Sequence, residues 1–200
     1  MLNFNFTKDT PLIFLDVDQV IRDYQYRLSD MTEIIDGGQL NVIDISYGDV
    51  EEVENMLQYI CFKYDAKIVF NTSANINPDN DLALRFRDKN MLAMDRTQFP
   101  SFRIMLDPEL VKSHNRAEAI KSFYKEQFGV DIEEEHEKFK FLIVDDSWIE
   151  YVEDKWTYTH LVPVFGGRLS STDVTFMDGR LSGKGALLHP LFNCKLPEYR

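Results

Sequence analysis

Two carboxylates spaced one residue apart, Asp16 and Asp18, follow directly on the apolar run Leu12-Ile13-Phe14-Leu15. A short continuous apolar run reads as a strand buried on both faces, and Asp is a poor strand residue, so the acids mark where the strand ends. In open α/β sheets the ligand sits outside the carboxyl ends of the strands. Two acids gathered there can hold a hard cation, or divide the roles of nucleophile and proton carrier. A polar strand end that happens to carry two acids is the plain alternative.

The same ending recurs. Lys67-Ile68-Val69-Phe70 runs into Asn71-Thr72-Ser73-Ala74-Asn75, and the run Phe139 to Val144 ends in Asp145-Asp146-Ser147. Strand ends of a parallel sheet share one edge, so these residues would converge in one crevice. Phosphoryl transfer suits such a crevice. A carboxylate nucleophile splits hydrolysis into two easier steps, and a magnesium ion prefers carboxylates and water as ligands. A hydroxyl donor from Thr72 and an ammonium from a lysine would stabilise the equatorial oxygens of the phosphoryl group.

The elements that must position these ends alternate between strand and helix. Asp49 with Glu52 resembles a capping box, and Val53, Leu57, Ile60 and Tyr64 follow at helical spacing, so a helix is expected up to about Asp65. Asn77-Pro78-Asp79-Asn80 starts a further helix over Asp81 to Lys89, and Met91 to Met94 reads as a short strand. The stretch Arg96 to Pro108 reads as loop, with a brief strand at Phe102 to Leu106. Ser113 or Asn115 can cap the next helix, whose Ala117, Ile120, Tyr124 and Phe128 share a face and whose C′ residue is Gly129. The acids of Asp131 to Glu137 read as a solvated turn. Leu161 to Phe165 is the last strand, and the tail with Asp178-Gly179, Gly183 and Gly185 reads as turn-rich. The pattern predicts an α/β fold in a single domain over 1–200, with a central, mostly parallel sheet. A flap is expected within 21–48 and a small insertion within 76–110.

Composition bounds the class. With 200 residues, 44% hydrophobic, 15 Phe and 9 Tyr, the chain can bury a core without staples. Cys61 and Cys194 cannot make a disulfide framework and fit a reducing cytosol. No signal peptide and no apolar run near the ~20 residues of a membrane span is visible, so a soluble, cytoplasmic protein is expected. A net charge of −12 argues against an extended non-specific nucleic-acid surface, yet permits a small anionic substrate bound through a cation. His114, His136, His160 and His189 lack zinc-site spacing, and Gly166-Gly167 and Gly183-Lys184-Gly185 lack phosphate-loop spacing. Cys61 reads as core, and Trp148 and Trp156 as core or rim.

Asp16-Val17-Asp18-Gln19-Val20 behind its strand resembles motif I (DxDx(T/V)) of the haloacid dehalogenase-like (HAD) phosphohydrolases, and the resemblance extends through four motifs over roughly residues 11 to 165. It implies a Rossmann-like sheet with helices on both faces. It also implies a magnesium-dependent phosphomonoesterase working through an aspartyl-phosphate. In that scheme Asp16 is the nucleophile, and Asp18 protonates the leaving group and then activates water. Thr72 is the hydroxyl that binds the phosphoryl group, with Ser73 beside it. Motif III calls for a lysine near the start of the helix before the late strand; Lys112 is the first choice, ahead of Arg116 and Lys121. Asp145 and Asp146 complete the magnesium site with Asp16 and the Val17 carbonyl. Gln19 stands where many relatives have Gly, so it can contact substrate or reduce activity. No segment is long enough for a full cap domain. This makes the chain similar to the HAD domains of nucleic-acid-repair proteins and polynucleotide kinase-phosphatases, and points to a nucleotide or a nucleic-acid end phosphate as substrate. A HAD-like binding or regulatory module without turnover is the alternative.

Overall fold

Four apolar runs form strands β1 (Leu12–Leu15), β2 (Lys67–Phe70), β3 (Phe141–Asp145) and β4 (Leu161–Pro163), every residue of which is buried. The structure is a computed structural model, and it describes residues 6–17, 19–21, 50–72, 81–93, 116–147, 151, 154–165 and 167–183. The strands make one parallel sheet in the order β2-β1-β3-β4. The chain is therefore of the α/β class. The order reverses direction between β1 and β3, and such a switch point opens a crevice beyond the strand ends.

Five helices accompany the sheet among the described residues: α1 (Val50–Tyr64), α2 (Asp81–Asp88), α3 (Arg116–Phe128), the short α4 (Ile132–Glu135) and α5 (Ser171–Leu181). Side chains of a strand alternate between its two faces, so successive β1 residues meet different partners. Phe14 lies against Phe123 and Tyr124 of α3, with ring centroids 5.4 and 5.9 Å apart. Phe70, on the opposite face by register, stacks on Phe86 of α2 at 5.5 Å. Helices thus cover both faces. The candidate flap at 21–48 falls, apart from Ile21, outside the described residues, and 76–110 is described only over 81–93.

Several sequence expectations change in detail. Asp131 to Glu137 is not a turn: Asp131 caps α4 by accepting from the Glu133 N–H at 3.1 Å, and a 3-10 turn follows over His136–Lys138. Acids in a first turn meet the positive end of the helix dipole, which favours helix there. The described part of the expected strand Met91 to Met94, residues 91–93, contributes one bridge, Leu92 to Ile68, rather than a strand. The tail read as turn-rich opens with α5, held by a capping box in which the Asp173 N–H donates to Ser170 Oγ and the Ser170 N–H to Asp173 Oδ2. Gly129 does sit at φ +66° behind α3, as the C′ position requires. Cys61 and Trp156 are buried.

Glu54 of α1 is fully buried and accepts from Arg85 at 2.8 Å and Lys89 at 3.1 Å, which ties α2 and its end to α1. Both cations keep partial access to water, so each single bond is worth little. Removing both strands a buried carboxylate. Arg85→Ala with Lys89→Ala should cost about 2 kcal/mol in urea unfolding, more than the sum of the single variants. Additive single losses would count against this coupling.

His160, just before β4, stacks on Phe141 with centroids 3.8 Å apart. A carbonyl only accepts, so Nδ1–H of His160 donates to Phe141 O at 3.1 Å, and Nε2 is left to accept from Nδ1–H of His136 at 3.1 Å. Burial, partly offset by the bond to Phe141 and reinforced by His136 and Arg180, pushes the His160 pKa down to about 4. The unfolded chain then takes up this proton first. The stabilising contribution is whole above pH 6.5 and is lost as pH falls toward 4. Against His160→Gln, the wild type should lose about 2–3 kcal/mol over that window. A pH-independent difference between the two proteins would refute it.

Candidate active site

Register alone assembles the centre of the site. Leu15 pairs with Phe70 on one side and with Val144 on the other, so the next residue along each strand, Asn71, Asp16 and Asp145, stands in one row. The Asp16 N–H donates to Val144 O at 2.9 Å, and the Asn71 N–H to Leu15 O at 2.8 Å, which carries the pairing past the strand ends. Side chains in one row share a face, here the face of Phe14 that α3 covers. The N-terminus of α3 brings Arg116 to that row.

Arg116 is 5% exposed, and its guanidinium bridges two carboxylates: it lies 3.2 Å from Asp16 Oδ2 and hydrogen-bonds to Asp145 Oδ2. Asp145 is otherwise filled. Its Oδ1 accepts from the Ser147 N–H at 2.8 Å, and its Oδ2 accepts from the Tyr151 hydroxyl at 2.8 Å. Asp16 is different: it is 2% exposed, and its Oδ1 has no hydrogen-bond partner. Carboxylate oxygens of Asp16, Asp145 and Asp146 all lie within 4.8 Å of one another.

Among the described residues, the electrostatics follow from three acids around one cation. Burial, opposed by Arg116 and reinforced by Asp16, pushes Asp145 up to about 7. Burial, then its hydrogen bond with Asp16 and the charge of Asp16, pushes Asp146 up to about 6. Burial pulls Arg116 down, but Asp145 and Asp16 outweigh it, so the guanidinium stays charged. Burial and the charge of Asp145 hold the Tyr151 hydroxyl well above its ordinary value, so it remains a donor.

Of the residues singled out in the sequence, the structure brings together Asp16, Asp145 and Asp146, with Thr72 buried at the end of β2 one residue beyond Asn71. Val17 is buried, and its carbonyl accepts from the Ile21 N–H at 2.9 Å. Gln19 is exposed at φ +59°. That left-handed conformation costs a side-chain-bearing residue about 1 kcal/mol, which is why glycine suits the position. Asp18, Ser73 and Lys112 lie outside the described residues. Arg116, ranked behind Lys112 on sequence, is the described cation at the carboxylates. Lys121 is not there: it pairs with Glu118 and Glu133 at 2.7 Å each and with Asp154 at 3.4 Å.

Sequence reasoning passed over Asn71 and Tyr151. Continuing the register by one residue would have placed Asn71 beside Asp16. No local pattern marks Tyr151.

This donor set could hold a metal ion. The ligands are hard oxygens, one buried carboxylate oxygen lacks a partner, and among the described residues three acids face a single guanidinium. No family model, curated protein or solved structure matches the chain, and the chemistry of the cluster follows from its geometry.

Proposed function

We propose that this chain is a magnesium-dependent phosphomonoesterase of the haloacid dehalogenase type, with Asp16 as nucleophile. The observation that carries the reading is the buried, unpartnered Oδ1 of Asp16 among the carboxylates of Asp145 and Asp146. An oxygen with no donor on it keeps its lone pairs for a phosphorus atom or a cation. Arg116 on Oδ2 fixes the rotation of the carboxylate and supplies the positive charge that a transferring phosphoryl group needs. Thr72, buried at the neighbouring strand end, would offer its hydroxyl to the same group. Asp18 takes the proton-transfer role, protonating the leaving group and later drawing a proton from the water that opens the aspartyl-phosphate.

Asp16, Asp146 and the Val17 carbonyl would hold magnesium, with Asp145 in reach. When bound, the ion screens the repulsion between an anionic nucleophile and an anionic phosphate. No segment of the sequence is long enough for a full cap domain, and the substrate class that suits such a site is a nucleotide or a nucleic-acid end phosphate.

The deciding experiment is phosphate release from a small aryl phosphate, mononucleotides and oligonucleotides with 3′ or 5′ phosphates, with and without magnesium. Turnover that needs magnesium supports the reading, and no turnover on any of them sinks it. One observation favours a second reading, a binding module of the same fold. Arg116 pairs with both Asp16 and Asp145, and a carboxylate whose charge is held by a guanidinium is a weak nucleophile. That reading expects magnesium or nucleotide binding by calorimetry without phosphate release.

A further inference from the structure

The geometry points to Tyr151 as a positioning residue that, steadied by Asn71, keeps Arg116 on the nucleophile. The inference rests on the phosphatase reading and extends it to residues that touch no substrate. Tyr151 is fully buried, and its hydroxyl has two partners. It donates to Asp145 Oδ2 at 2.8 Å and accepts from Asn71 Nδ2 at 3.2 Å. The amide of Asn71 also reaches the backbone carbonyl of Arg116 at 3.5 Å. The ring therefore closes a loop through four separate parts of the chain. It runs from Asn71 to Tyr151, on to Asp145, to Arg116, and back to Asn71.

Each link has a direction. A tyrosine hydroxyl carries one proton, and Asp145 is its acceptor, so the Asn71 amide must be the donor to Tyr151. Asn71 is thereby fixed with its nitrogen toward Tyr151 and Arg116. Asp145 Oδ2 receives both the Tyr151 hydroxyl and the Arg116 guanidinium. With Oδ1 anchored on the Ser147 N–H, the carboxylate cannot turn without breaking several bonds. Its orientation sets where the guanidinium lies, and the guanidinium sets which oxygen of Asp16 is left open. Outer partners that orient a charged group in this way typically change activity by about 10- to 100-fold when removed.

Tyr151→Phe keeps the ring and deletes the hydroxyl. Two measurements test it. By NMR, exchange of the Arg116 side-chain N–H protons with water should speed up about tenfold in Tyr151→Phe, and less in Asn71→Ala, because the anchor of the guanidinium is loosened. In turnover, kcat should fall about tenfold with KM within twofold, and the same change made in an Arg116→Lys background should alter kcat less than twofold. A tyrosine that only fills space would leave the exchange rate unchanged and give additive kinetics, and either result overturns the proposal. Failure of the phosphatase reading is a separate event. It shows as no turnover by the wild type, and the exchange measurement then decides the role of Tyr151 alone.

Discussion

Asp16→Asn should abolish phosphate release, lowering kcat by roughly 10⁴-fold or more, the scale seen when a nucleophile is removed from a preorganised site. The amide is nearly isosteric with the carboxylate, so the packing at the end of β1 should survive. What is lost is the anionic oxygen. In the structure Asp16 Oδ1 is buried without a partner while Oδ2 lies against Arg116, so the single substitution removes the one oxygen available for attack. It also removes one of the causes that hold Asp145 and Asp146 up, at about 7 and about 6. Both carboxyls should therefore titrate at lower pH in Asp16→Asn, a shift that carbon NMR of the side-chain carboxyls can read. The two readouts are independent. Unchanged turnover would remove Asp16 from the chemistry, while unchanged titration would show that the three carboxylates do not sense one another.

How much of this was legible before the structure depends on the range of the interaction involved. Strands β1, β2 and β3 were visible because a buried parallel strand is a continuous apolar run, and their polar ends were visible for the same reason. Parallel pairing then puts Asp16 beside Asp145 with little freedom. Helix α5 was hidden by Asp178-Gly179, which reads as a turn. A glycine inside a helix costs about 1 kcal/mol, and here tertiary bonds oppose that cost. The Tyr64 hydroxyl lies 2.8 Å from Asp178 Oδ1, and Lys63 forms an ion pair with the same carboxylate. The capping box of Ser170 and Asp173 was a local signal for this helix and could have been weighed against the glycine.

The site divides along the same line. Asp16 and the acidic pair carry their own sequence signature. Arg116 does not, because several cations surround the start of α3 in sequence and only the docking of the helix on the Phe14 face selects one. Tyr151 is the extreme case. Its hydroxyl matters through Asp145, on another element, and nothing in the residues around it signals that.

Arg116→Met should destabilise the fold by about 3–5 kcal/mol at pH 8, the cost of stranding buried carboxylates by deleting their cation. The guanidinium is the only cation that the described residues place on Asp16 and Asp145, and its side chain is 7% exposed. Methionine has a similar length and no charge, so packing alone would predict a small change. The pH dependence separates the two accounts. Asp145 already has a folded pKa near 7, above its unfolded value of 3.8, so the folded protein holds this proton more tightly than the unfolded chain. A raised carboxyl pKa makes stability fall as pH rises from the unfolded value through the folded one. Without Arg116, whose charge now lowers it, the Asp145 pKa should climb further and the fall should extend to higher pH. The destabilisation of Arg116→Met should therefore be greatest at pH 8 and shrink as the pH is lowered toward 5. Arg116→Lys, which keeps the charge but not the planar fork, should lose less at every pH. Urea unfolding at several pH values measures both variants. A loss of equal size at pH 5 and pH 8 would mean that Arg116 holds the helix by packing, and that the carboxylates at the strand ends do not need it.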